Sequence, residues 1–92
     1  MSPTIEVLVV TSPGCHFCED ALGLVHELAG TFPMRVQTVP LHSEQARSLV
    51  VRHRVPFPPI LMIEGELFGY GRISRRKLEA HLSRIAAEAR TA

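Results

Sequence analysis

Cys15 and Cys18 are the only two cysteines of the chain, two residues apart, and as thiolates they are its strongest nucleophiles and softest metal ligands. A bridge between them closes so small a loop that it constrains little of the unfolded chain, so a stapling role makes poor sense. A reducing cytosol also disfavours a permanent bridge. Redox exchange and metal ligation remain. A Cys-x-x-Cys zinc site usually draws two further Cys or His ligands at recurrent spacing. Here His16, His26, His42, His53 and His81 are scattered, with no pair at such a spacing, and no metal site is assigned. The alternative reading is a metal- or iron–sulfur-carrying module in which the same two thiolates are completed by histidine or a second subunit. An adaptor without redox turnover is a third reading, and the presence of both cysteines at this spacing argues against it.

Where Cys15 falls decides its chemistry. It follows an apolar run and opens an amphipathic one, so its sulfur faces unpaired backbone N–H groups at the positive end of a helix. Both favour the thiolate, which is the nucleophile. Cys18 lies one turn further on, against the apolar face. Cys15 is therefore expected to attack a target disulfide, and Cys18 to attack Cys15 and release the reduced target. His16, when protonated, is a neighbouring cation that favours the reduced form and makes the couple more oxidising; its plain alternative is an exposed imidazole screened by solvent. Phe17 supplies an apolar lip able to meet a peptide or glutathione, or simply packs. No cofactor is called for beyond an electron donor: glutathione, another small thiol or a reductase. The expected partners are a disulfide-containing protein or a glutathione-type substrate, and that reductant.

The elements that must hold this pair read as follows. Residues 5–10 are β-branched and nearly continuous in apolar side chains, as in a strand covered on both faces. Thr11-Ser12-Pro13-Gly14 is a turn, after which Cys18, Ala21, Leu22, Val25, Leu28 and Ala29 recur at helical spacing until Gly30, which is placed to end the helix. A strand over 34–39 sets Met34, Val36 and Thr38 on one face and Arg35 and Gln37 on the other. Ser43 caps a helix to about His53 with Ala46, Leu49 and Val50 inward. After the cluster Pro56-Phe57-Pro58-Pro59 come an apolar strand over 60–63, a Glu64-Gly65 turn and a returning strand over 66–70. Ser74 caps a last helix whose inward stripe is the Lys77 stem, Leu78, Leu82, Ile85 and Ala89, with fraying expected beyond about residue 88. The order β-α-β-α-β-β-α makes an α/β fold: a right-handed parallel crossover followed by an antiparallel hairpin gives a mixed four-stranded sheet with helices on its faces.

Two basic stretches stand out. Arg72, Arg75, Arg76 and Lys77 gather at the start of the last helix, where cations oppose the helix dipole. A docking surface at Arg72 and Arg75, for an acidic partner or a carboxylate of glutathione, is weighed against a plain solvated face. Arg47, Arg52, His53 and Arg54 are read as surface, and the lone Tyr70 as structural.

With 92 residues the chain suffices for one domain over 1–92, and its 46% hydrophobic and 21% charged fractions are those of an ordinary globular protein. A net charge of +1 does not suit a protein that coats nucleic acid. No apolar run approaches a bilayer span, and the first residues lack the basic start of a signal peptide. A soluble, cytoplasmic monomer is expected, with neither nucleic acid nor membrane as partner.

The chain resembles the thioredoxin-like superfamily, and most closely the small glutaredoxins. The resemblance runs from residue 5 to about 87 and rests on Cys15-His16-Phe17-Cys18 after the first strand, a proline opening the third strand, and the hairpin followed by a terminal helix. It implies a thioredoxin-like fold and a cis-proline facing the cysteines. Counting back from Gly65 picks Pro59, with Pro56 and Pro58 as rivals, and the implied substrate groove is formed by Phe17, Pro58 and Pro59. The sequence departs from the family in several places. Cys-His-Phe-Cys stands for Cys-Pro-Tyr-Cys, and Phe57-Pro58-Pro59 for Thr-Val-Pro, so that Pro58 lacks the N–H the family offers a substrate main chain. Ser12 replaces the usual basic residue, and Gly69-Tyr70-Gly71-Arg72 carries no acidic pair after it. Thioredoxin's Trp-Cys-Gly-Pro-Cys is also absent, since the chain has no tryptophan.

Overall fold

A computed structural model describes residues 4–91. The elements follow in the order β1 (Ile5–Thr11), α1 (His16–Leu28), β2 (Met34–Pro40), α2 (Glu44–His53), β3 (Ile60–Ile63), β4 (Glu66–Tyr70) and α3 (Arg75–Thr91). The sheet order is β2-β1-β3-β4, with β1 and β2 parallel and the other two pairings antiparallel. The largely apolar β1 and the all-apolar β3 are the two central strands, which is why neither shows regular alternation with polar residues.

The period of two in β1 divides the core. Ile5, Val7 and Val9 pack with Val25 and Leu28 of α1, Leu61 and Ile63 of β3, and Leu78 and Leu82 of α3. Val10 points the other way, to Val39, Ala46 of α2, Val55, Ile60 and Met62. Helices α1 and α3 thus cover one face of the sheet and α2 the other. β1 and β2 each run one residue past the expected ends, through the pair Thr11 and Pro40. Pro40 has no N–H to give, and Leu41 N–H supplies the next bond to the Thr11 carbonyl at 2.8 Å.

The caps are local. Ser43 Oγ accepts from Ala46 N–H at 3.2 Å, and Ser74 Oγ from Lys77 N–H at 3.3 Å. The β3–β4 turn has positive φ at both Glu64 (52°) and Gly65 (78°), the twist that a two-residue hairpin needs. In β4, Phe68 falls at a bulge, since Met62 pairs with Leu67 and Leu61 with Gly69.

α1 stops where Gly30 was expected to end it, with Ala29 as its cap and Gly30 next; neither takes a left-handed conformation, and a tight turn closes with Thr31 and Phe32 N–H on the Leu28 carbonyl. Two expectations are corrected. Lys77 is exposed instead of contributing its stem to the stripe. His81 takes an inward place, its ring 5.3 Å from that of Phe68. α3 runs to Thr91, with the strong helix formers Ala86, Ala87 and Glu88 near its end. His53 is half-buried, with Nε2 out of solvent and without a hydrogen-bond partner, and so is not a plain surface residue.

Candidate active site

Gly14, at φ 68°, turns the chain out of β1 and brings Cys15 to the N-cap of α1. Cys15 keeps an extended backbone (φ −96°, ψ 109°), and its Sγ accepts the N–H of Cys18 at 3.1 Å. A sulfur thus takes the place that a serine or aspartate oxygen usually fills, and satisfies one of the orphan donors of the helix start. The two sulfurs form a disulfide across a Cα–Cα distance of 5.2 Å. Cys18 is only 3% exposed, on the face of α1 that carries Ala21 and Val25, whereas Cys15 is half-buried. A nucleophile from outside therefore meets Cys15 first.

Opposite the pair stands the segment leading into β3. The Pro58–Pro59 peptide bond is cis, and the Pro58 carbonyl oxygen lies 4.0 Å from Cys15 Sγ. Pro59 is fully buried, and its carbonyl accepts the N–H of Gly71 at 2.8 Å, which ties this segment to the end of β4. The cysteines and the Pro58-Pro59 segment thus come together from two places in the chain, the start of α1 and the entry to β3. Phe17 projects beside them, 47% exposed, and His16 is exposed at the first position of α1.

The basic group at the start of α3 divides. The Arg75 guanidinium bonds the carboxylates of Glu27 on α1 and Glu79 one turn on, the latter at 2.8 Å. The hydrogen bonds it donates to Glu27, and then to Glu79, hold its pKa above the ordinary arginine value. Its charge is paired with carboxylates of α1 and α3. Arg72 is exposed and forms no ion pair among the described residues; it borders a depression of about 230 Å³ with Tyr70, Ser74 and Lys77. No group of three or more Cys, His, Asp or Glu side chains is arranged to hold a metal ion among the described residues. None of the described helices is long and apolar enough to cross a membrane.

Sequence reasoning missed an aromatic pair. Phe57 and Tyr70 stand edge to face, ring centroids 5.5 Å apart, and both are exposed. Gly71 lies beneath Phe57: a Cβ on it would fall 2.8 Å from Phe57 Cε2. The available signal was Gly71 itself, the second glycine around the lone tyrosine, at φ 70°.

No protein-family model matches this sequence, and no curated protein matches it. Solved structures do. Thioredoxin O2 from Arabidopsis thaliana in its oxidized state is 16% identical with a TM-score of 0.67, over 90% of this chain and 76% of that one. A thioredoxin from Thermus thermophilus is 19% identical with a TM-score of 0.61, over 94% and 76%. An uncharacterized thioredoxin-like protein from Clostridium perfringens is 13% identical with a TM-score of 0.67, over 97% and 76%. The chain has the thioredoxin-like fold. Within that fold, the Cys15–Cys18 disulfide sits at the β1–α1 junction.

Proposed function

We propose that the protein is a dithiol–disulfide oxidoreductase of glutaredoxin-like type, reducing disulfides of proteins or mixed disulfides of small thiols. The observation that carries this reading is the asymmetry of the pair: Cys15 reachable and bonded by the Cys18 N–H, Cys18 buried one turn behind it.

In the reduced protein, the Cys15 thiolate attacks one sulfur of the target disulfide. A Cys15–target S–S bond forms, the target S–S bond breaks, and the first target thiol leaves. Cys18, as thiolate, then attacks Cys15 Sγ; the Cys15–Cys18 bond forms and the second target thiol leaves. Two electrons and two protons pass from the dithiol to the target. The amide donor at 3.1 Å, with the positive end of α1, favours a negative sulfur at Cys15, both as attacking group and as leaving group in the second step. Two equivalents of glutathione or another small thiol, or a dithiol reductase, return the protein to its reduced state. The protein acts as a monomer, and a reducing cytoplasm is the compartment that suits it.

The absence of tryptophan beside the motif supports the glutaredoxin-like type. Trapping tests the reading. With a protein disulfide as target, Cys18→Ser should accumulate a covalent adduct on Cys15 that dithiothreitol releases, and Cys15→Ser should form none. Adducts in equal amount on both variants, or on neither, would contradict it.

A further inference from the structure

The reaction above makes no use of Phe57, Tyr70 or Gly71, although all three adjoin the site. Large apolar side chains exposed among the described residues are Phe17, Val51 (78%), Phe57 (52%) and Tyr70 (43%). They are not scattered. Phe17 lies between the cysteines, Phe57 precedes the proline whose carbonyl approaches Cys15, Tyr70 stacks on Phe57, and Val51 lines one groove with Phe57. This groove, about 330 Å³, runs between α2 and the segment before Pro58; Leu41, Val50 and Val55 also line it, and Arg47 is its charged member. An exposed apolar patch continuous with a reactive group marks an interaction surface.

Phe57 is also held in place. Gly71 leaves open the space its ring occupies, the Gly71 N–H to Pro59 carbonyl bond fixes the strand beneath, and Tyr70 meets the ring edge to face. A ring already ordered in the free protein loses little freedom when a partner covers it, so it contributes more of its contact to binding.

We propose, building on the oxidoreductase reading, that Phe57 is a specificity-determining residue and Gly71 its positioning residue. Together they select polypeptide disulfides in which an apolar side chain flanks the attacked cysteine. That side chain covers Phe57 in the groove, and an acidic residue beyond it meets Arg47. Glutathione has no apolar side chain to offer this surface. The chemical step is unchanged: the peptide disulfide is reduced to two thiols as Cys15 and Cys18 are oxidised.

The test is single-turnover reduction by prereduced protein, with hydroxyethyl disulfide run on the wild type. Three peptide probes are used: one disulfide with Leu beside the cysteine and Asp beyond, the same peptide with Ser for Leu, and the Ser peptide as its glutathione mixed disulfide. The wild type should reduce the Leu peptide about tenfold faster than the Ser peptide, the discrimination that one apolar contact provides. Phe57→Ser should bring this ratio near one, and Phe57→Leu should restore most of it. A wild-type ratio near one, a ratio unchanged in Phe57→Ser, or fastest reduction of the glutathione mixed disulfide would overturn the proposal while leaving the oxidoreductase reading intact. Failure of the wild type to reduce any probe, hydroxyethyl disulfide included, would overturn that reading and the proposal with it.

Discussion

Cys15 Sγ and the Pro58 carbonyl oxygen lie 4.0 Å apart, although 43 residues separate them in the chain. The antiparallel pairing of β1 with β3 produces this approach, because the end of β1 then lies beside the start of β3. Cys15 leaves β1 by the Gly14 turn, and Pro58 enters β3 from the α2 side. The disulfide is therefore presented in a cleft between the start of α1 and the β3 entry, with only one of its sulfurs toward solvent.

That one-sidedness predicts an order of reaction. In the reduced protein, iodoacetamide at limiting concentration should label Cys15 well before Cys18, because Cys18 is 3% exposed. Peptide mapping by mass spectrometry reads the order, and preferential labelling of Cys18 would contradict the assignment of roles.

Gly71 gives a second prediction. Its φ of 70° disfavours any side chain, and an added Cβ would meet Phe57 Cε2 at 2.8 Å. Gly71→Ala should destabilise the fold by about 1–2 kcal/mol from the backbone conformation, with the ring clash adding to it. In a Phe57→Ala background the clash is removed, so the penalty of Gly71→Ala should shrink toward the backbone part. Urea unfolding of the four proteins measures this coupling, and an unchanged penalty would show that the two residues are independent.

The Arg75 bridge should matter little and mostly at low salt. Its groups are exposed, so Arg75→Ala is expected to lower Tm slightly, by an amount that fades as ionic strength rises. The pKa of Arg75 is raised, so what its charge contributes is fully present below the unfolded-state value and is lost only at extreme alkaline pH. Melts from pH 6 to 9 should show no pH dependence from this residue.

The serine caps should matter more. Ser43→Ala leaves Ala46 N–H without its acceptor, and Ser74→Ala does the same to Lys77 N–H. Each should cost about 0.5–2 kcal/mol, and replacement by Asp should recover most of it. Denaturant midpoints at constant m-value give the comparison.

What could be read ahead of the structure is what local rules determine. Caps at Ser43 and Ser74, the Glu64-Gly65 turn, the apolar periods of β1, α1 and β3, and the Cys15–Cys18 spacing are each set within a few residues, and they yield the element order. Other details depend on distant partners. The pairing of Arg75 with Glu27 joins residues 48 apart in the chain. The Phe57–Tyr70 contact arises only because the β3–β4 pairing and the Gly71–Pro59 bond bring the two rings together. Gly30 follows the cap of α1, as its residue type suggested, although the chain turns there without a left-handed residue.

The most direct test of the central claim is an equilibrium titration of the Cys15–Cys18 couple in glutathione buffers on metal-free protein, read by thiol alkylation and mass. A reversible two-electron transition is predicted, with a potential in the range of about −200 to −230 mV typical of glutaredoxins. No intramolecular disulfide at any poise would contradict the account and turn the two thiolates toward metal binding.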